Sequence, residues 1–236
     1  MFYFAETFFA DMDLYLKIRM NEKLFLRNPE ETELGKNIIR YSIMLIHEIG
    51  FEAFTFKKLA VKIGTTEAGV YRYFENKHLL LIYIVDWYWA WQEYRLLFHT
   101  NNVKKPETKL KKAITLLSTP IVDDASTPYI NETLLYEIVM SEGAKSYLTR
   151  NVTEYNEAKL FKPYKDLCGR IADIITECNP KYKFPRSLAS TIIEMAHSQS
   201  FYMKNLPSLT DFGKSKDEAK IMTFLVDMVF STIKVL

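Results

Sequence analysis

Apolar positions recur at helical spacing along most of this chain. Leu34, Ile38, Tyr41 and Leu45 form one stripe, with Ile39, Ile43 and Ile46 beside it. A stripe that wide predicts a helix buried on a broad face. Asn28 suits its cap, Pro29 its first position, and Glu30 and Glu31 its positive dipole end. Gly50 predicts a left-handed stop. A second, short helix starts at Thr55, with Phe54 and Leu59 at the spacing of a hydrophobic staple, and ends at Gly64. Thr65 or Thr66 caps a third helix running to Tyr73 or Phe74. Asn76 caps a fourth that reaches Phe98. Beyond a break at 100–106, helical patterns cover roughly 107–118, 128–140, 145–178, 185–205 and 216–235, punctuated by Pro120, Pro128, Pro163, Pro180, Pro185 and Pro207. Residues 14–20 alternate, and 1–27 leave a small hairpin and a loose helix both open. The expectation is an all-α chain: an extension over 1–27, a trihelical head over 28–80, and a larger helical body over 81–236.

Composition supports helices. The chain has 236 residues, enough for a real core, with only 7 Gly and 8 Pro against 16 Phe, 15 Tyr and 3 Trp. The formal charge of +2 is too small to argue for nucleic acid by itself, so any such contact must use a local patch. Cys168 and Cys178 are ten positions apart and lack further ligands, and His47, His78, His99 and His197 are scattered. No metal site, cofactor loop or catalytic set is expected. The acidic, apolar N-terminus is a poor signal peptide, and the apolar run 79–85 stops at Asp86, too short to cross a bilayer. The expectation is a soluble cytoplasmic protein without a membrane partner.

Candidate chemistry concentrates between Thr55 and Lys77. Val70 and Phe74 point to the core, leaving Glu67, Ala68, Gly69, Tyr71 and Arg72 on the opposite face of the third helix. Small residues at 68 and 69 would let its backbone approach a groove floor. Arg72 can donate to guanine or phosphate, and Tyr71 and Tyr73 offer hydroxyls to phosphates. Lys57 and Lys58 sit in the first turn of the second helix, where a cation opposes the dipole. A docked phosphate reverses that cost, and Lys77 follows the same logic in the fourth helix. An ordinary solvated face on a three-helix fragment stays open at this point, because such geometry also occurs in proteins that never touch DNA.

The run IIRYSIMLIHEIGFEAFTFKKLAVKIGTTEAGVYRYFENKHLLL resembles the N-terminal domain of the TetR family of transcriptional regulators. The resemblance is carried by Ile38, Ile39, Gly50, Phe51, Thr55, Leu59, Ala60, Gly64, Thr66, Tyr71, Tyr73, Phe74, Lys77 and Leu80, over about fifty residues. It implies that Thr55, Tyr71, Tyr73 and Lys77 hold phosphates, and that Glu67, Ala68, Gly69 and Arg72 face bases. The chain departs from the family where Ala68 replaces a frequent Gly and Gly69 replaces Thr or a similar residue. A glycine inside so short a helix weakens it by up to about 1 kcal/mol. Tyr41 and Ser42 replace small residues, and the extension is long and mildly basic through Lys17, Arg19, Lys23 and Arg27.

Two heads on a twofold axis would read a palindrome. The resemblance implies a homodimer through the last two helices, which offer Ile192, Ile193, Met195, Ala196 and Ser200, and Ile221, Phe224, Leu225, Met228 and Val229. Trp87, Trp91, Tyr94 and Phe98 share one face of the fourth helix. They fit a core stripe, or one wall of an effector pocket completed by Tyr129, Tyr136, Met140, Tyr164, His197 and Phe201 for an apolar or aromatic compound. The function expected is a ligand-responsive transcriptional regulator, a repressor that binds a palindromic operator in double-stranded DNA as a dimer and performs no chemistry. The rivals are a helical protein-interaction module and a small-molecule-binding or enzymatic helical protein.

Overall fold

The computed structural model describes residues 18–123, 127–214 and 217–234, and among these every regular element is a helix. The head holds α1 (Glu33–Ala53), α2 (Phe56–Ile63) and α3 (Glu67–Tyr71). The body holds α5 (Pro106–Ser118), α6 (Glu132–Glu142), α7 (Val152–Glu157), α8 (Lys162–Cys178), α9 (Pro185–Asn205) and α10 (Glu218–Ile233). Between them runs α4 (Lys77–Thr100), which starts in the head and crosses the body. The expected boundary at 80 therefore falls inside a helix.

Local chemistry sets most helix ends. Thr55 accepts the Lys58 N–H at 3.2 Å, Thr66 the Gly69 N–H at 3.1 Å, and Asn76 the Leu79 N–H at 2.9 Å. Gly64 adopts φ 69°, ψ 35°, the left-handed stop expected of it. The start of α1 differs from expectation. Asn28 accepts the Glu30 N–H and opens only a 3-10 turn, Pro29–Glu31. Thr32 then takes an extended conformation and caps α1 itself, accepting the Gly35 N–H at 3.0 Å. The turn lies so close to α1 that a Cβ at Gly35 would stand 2.2 Å from the Pro29 carbonyl oxygen. Gly50 also differs. Its φ of 76° with ψ of 157° breaks α1 without ending it, and one further turn reaches Ala53.

The single helix expected over 145–178 is divided. A 3-10 turn (Gly143–Ser146), the short α7 and a left-handed Lys159 (φ 60°) precede α8. Pro163 sits in the first turn of α8, where its missing N–H costs nothing. The helix expected from 128 starts at Glu132, capped by Asn131, whose oxygen accepts the Leu134 N–H at 2.7 Å.

Of the N-terminal extension, residues 1–17 lie outside the described residues. The remainder is neither hairpin nor extended helix. Residues 18–27 hold one 3-10 turn (Glu22–Leu24) and run as a strap over the head. Leu24 is fully buried, the Leu26 N–H donates to the Tyr73 carbonyl at 2.8 Å, and Asn21 donates to the carbonyls of Ala158 and Lys159.

The body packs around α4. As far as Trp91 that helix is buried on every side, with Leu79 to Trp89 and Trp91 all inside. It lies against α5, α6 and α8, while α9 packs on α8, α5 and α10. The expected pairing face is partly spent here: Ile192, Ile193, Ala196, Ser200, Ile221, Leu225 and Val229 are buried within the chain's own core. His197 and Asp86 are among the titratable groups buried inside the body. Burial pushes the His197 imidazole down to about 4, and its Nε2 meets the Tyr88 hydroxyl at 3.1 Å. Burial holds the Asp86 carboxyl well above its ordinary value of 3.8, and its Oδ2 has no hydrogen-bond partner.

Gly35→Ala should cost roughly 1–3 kcal/mol in chemical denaturation, because the obstacle is backbone and not a movable side chain. For Asp86, a raised folded pKa means the unfolded chain releases its proton first as pH climbs above 3.8. Asp86→Asn should therefore melt at a higher temperature than the parent at pH 7.5, with the gap closing as pH falls towards 4.

Candidate nucleic-acid interface

The head presents one polar face, built by α2 and α3. Inside it, Phe56, Leu59, Val70 and Phe74 are buried, which turns the intervening residues outward. Lys57, Thr66, Glu67, Ala68, Tyr71 and Arg72 are exposed there. The Tyr71 ring is anchored edge-on against Phe56 at 5.0 Å, and its hydroxyl is left outside. Thr55 and Thr66 spend an acceptor site on their caps, and each hydroxyl hydrogen remains available to a phosphate. Val61, 78% exposed, and Lys62 extend the same surface along α2 and were not singled out by the sequence.

Four expected contacts are used differently. Tyr73 is 2% exposed, and its hydroxyl stands 2.7 Å from Thr32 Oγ1, with the Arg27 guanidinium 5.5 Å from the ring centre. It braces the strap against the head. The sequence hid this because Thr32 lies 41 positions away. Lys77 sends its ammonium to the carbonyls of Phe51, Glu52 and Phe54 at 3.0, 3.1 and 3.1 Å, over the Phe51 ring. It closes the C-terminal end of α1, where a cation complements the dipole. Lys58 donates to the Ala53 carbonyl at 2.8 Å and shares that task. Gly69 is buried, and a Cβ there would stand 2.9 Å from Thr65 Oγ1. Its glycine fits a packing contact with the two threonines and does not face outward.

The head is tied to the body by polar contacts that start at α1. His47 Nε2 meets Glu137 at 2.6 Å. Glu142 accepts the Phe51 N–H at 3.1 Å, just past the break at Gly50. Lys145 bridges Glu142 and Glu52 at 2.8 and 3.0 Å, and its hydrogen bond holds the Glu52 carboxyl below its ordinary range.

The residues expected to bind an effector separate into two groups. Trp87 and Trp91 stack at 6.2 Å, and Tyr88 touches Trp91, Tyr136 and His197. Tyr164 packs on Trp89 at 4.7 Å and donates to Glu194 at 2.6 Å. Burial lifts the Tyr136 hydroxyl to about 12. Met140 and Phe201 are half-buried, and Tyr129 lines a cleft of about 500 Å³ with Arg40 and Met44 while donating to Glu30 at 3.0 Å. Tyr94 and Phe98 do not join them: at 44% and 71% exposed they lie outside, because the turn of α4 that carries them has emerged from the core. Burial raises both cysteine thiols to about 11, and among the described residues no cluster of His, Cys, Asp or Glu is placed to hold a metal. None of the described helices is long and apolar enough to cross a membrane.

Residues 38–84 match the family described as bacterial regulatory proteins, tetR family. No curated protein matches the chain by sequence. Among solved structures, AibR in complex with isovaleryl coenzyme A and operator DNA is 18% identical, with a TM-score of 0.58 over 84% of this chain and 99% of that one. A tetR-family regulatory protein from Rhodococcus RHA1 is 13% identical, with a TM-score of 0.60 over 87% and 100%. SmeT in complex with triclosan is 19% identical, with a TM-score of 0.52 over 85% and 93%. At these identities the likeness establishes the fold, and the family match falls on the helices that build the exposed face. The match to the tetR family of bacterial regulatory proteins thus covers the segment that carries this face, and the fold of the whole chain is that of the regulators it resembles.

Proposed function

We propose that this chain is a homodimeric, effector-responsive repressor. Two heads occupy a palindromic operator, and the protein acts by occupancy without catalysing a reaction. The observation that carries this reading is the coincidence of the family match at 38–84 with an outward face of Lys57, Thr66, Glu67, Ala68, Tyr71 and Arg72. Phosphates are held by Lys57, Tyr71 and the hydroxyls of Thr55 and Thr66. Bases are met by the α3 face. AibR, described with operator DNA, supports the DNA partner.

Pairing uses what the core leaves over on α9 and α10. Met195, Phe224 and Met228 remain partly or well exposed after the neighbouring turns are buried. The effector enters the body around Tyr88, Tyr136, Tyr164 and His197, a cluster of rings with Glu194 at its edge. The described ligands isovaleryl coenzyme A and triclosan, on AibR and SmeT, support a small molecule with an apolar portion. Such a compound displaces the heads from their operator spacing by favouring one arrangement of the dimer.

Selection from a pool of genomic DNA tests the proposal: one palindromic consensus is expected, and recovery of no preferred sequence would sink it. The two tyrosines of α3 and its exit should separate cleanly. Tyr71→Phe should weaken operator binding several-fold with unchanged melting temperature. Tyr73→Phe should lower stability by about 1 kcal/mol, with the affinity of the folded fraction unchanged. Lys57→Ala should reduce the slope of log affinity against log salt by about 1 per head, measured by fluorescence anisotropy.

A further inference from the structure

The outward face of α3 carries two charged side chains of opposite sign. Positions 67 and 71 lie above one another on a helix, and 68 and 72 form the neighbouring row. Ala68 therefore lies next to Glu67 and one turn before Arg72, which caps the end of α3. All three residues are exposed. Among the described residues, Glu67 and Arg72 make no side-chain hydrogen bond or ion pair, although Lys57, Lys58, Lys62 and Arg72 are exposed on the same head. Both side chains are spare.

Their chemistry limits what they can meet in a major groove. An ionised carboxylate only accepts hydrogen bonds. It is repelled by phosphates, and it finds no donor on guanine O6 or N7 or on thymine O4. The donors a base edge shows there are the exocyclic amino groups of cytosine and adenine. A guanidinium only donates, and pairs with guanine O6 and N7. The Ala68 methyl beside Glu67 can lie close to the floor of the groove.

We infer that Glu67 is a specificity-determining residue that accepts from the exocyclic amino group of a cytosine or adenine in each half-site, with Arg72 donating to an adjacent guanine. This rests on the proposed function and names what its recognition face reads. Glu67 lowers affinity for every duplex by repulsion. Every base pair shows one amino group in the major groove, so Glu67 recovers that loss only where the group stands on the strand it faces, and its main effect is on discrimination between sequences.

The test selects bound DNA with the full-length protein, Glu67→Ala and Glu67→Gln in parallel, and measures affinity for an unrelated duplex at fixed salt. The parent should return a palindrome in which one position per half-site, next to a guanine, has a fixed base pair in a fixed orientation. Glu67→Ala should lose about tenfold in discrimination at that pair alone, the size of one specific contact, while binding the unrelated duplex more tightly. Glu67→Gln should shift that pair towards adenine, whose N6 and N7 it can meet together. A parent palindrome returned unchanged, with equal discrimination, by both variants overturns the inference and leaves the repressor reading standing. A parent that returns no consensus overturns the repressor reading and this inference with it.

Discussion

The burial of α4 is the constraint on which the rest of the molecule depends. One helix supplies a wall of the head, through Leu79 and Leu80, and the centre of the body, through Trp87, Tyr88 and Trp91. From Leu79 to Trp89 the helix has no solvated side on which to rotate or slide, so the part in the head moves with the part at the centre of the body. Its first turn also reaches backwards: Lys77 closes the end of α1 with three carbonyl contacts. The orientation of α3 is thereby referred to the body through a stiff element.

A second set of contacts restrains the head from the side. His47, Phe51 and Glu52 meet Glu137, Glu142 and Lys145 near the end of α6, while Tyr136 on the same helix faces the buried aromatic cluster. The helix that borders the cluster is thus the helix that holds α1 at its break. These polar ties are mostly solvent-accessible, and exposed ion pairs contribute little to stability. Their geometric effect is larger, since they place the Gly50 break opposite a carboxylate that accepts the next N–H. The strap adds a third restraint, running from Asn21 at the body to Leu26 and Arg27 at Tyr73, just past the end of α3.

The recognition face that results is sparse. Packing needs remove Tyr73 and Gly69 from it, and backbone capping occupies Lys77 and Lys58. What stays outward at α3 and its two ends is a short row of chemically distinct groups: a hydroxyl, a carboxylate, a methyl, a phenol and a guanidinium. A row with one acceptor-only and one donor-only side chain is better suited to rejecting wrong sequences than to gripping DNA tightly. The near-neutral charge of the chain agrees with that balance.

Residues close in sequence could be read without coordinates. The caps at Thr55, Thr66 and Asn76, the left-handed Gly64, the inward Val70 and Phe74 and the outward Glu67, Ala68, Tyr71 and Arg72 all follow from contacts within one helical turn, where spacing and side-chain chemistry are sufficient. The start of α1 misled because Asn28 and Thr32 are both competent caps, and the choice between them was made by packing of the Pro29 turn on Gly35. Tyr73 and Lys77 misled because their partners lie 41 and 23 to 26 positions away. Tyr94 and Phe98 misled because a shared helical face says nothing about where a helix leaves the core. Periodicity reports which residues point the same way. What each of them then meets is set by chain segments distant in sequence, and only the folded arrangement brings those segments together.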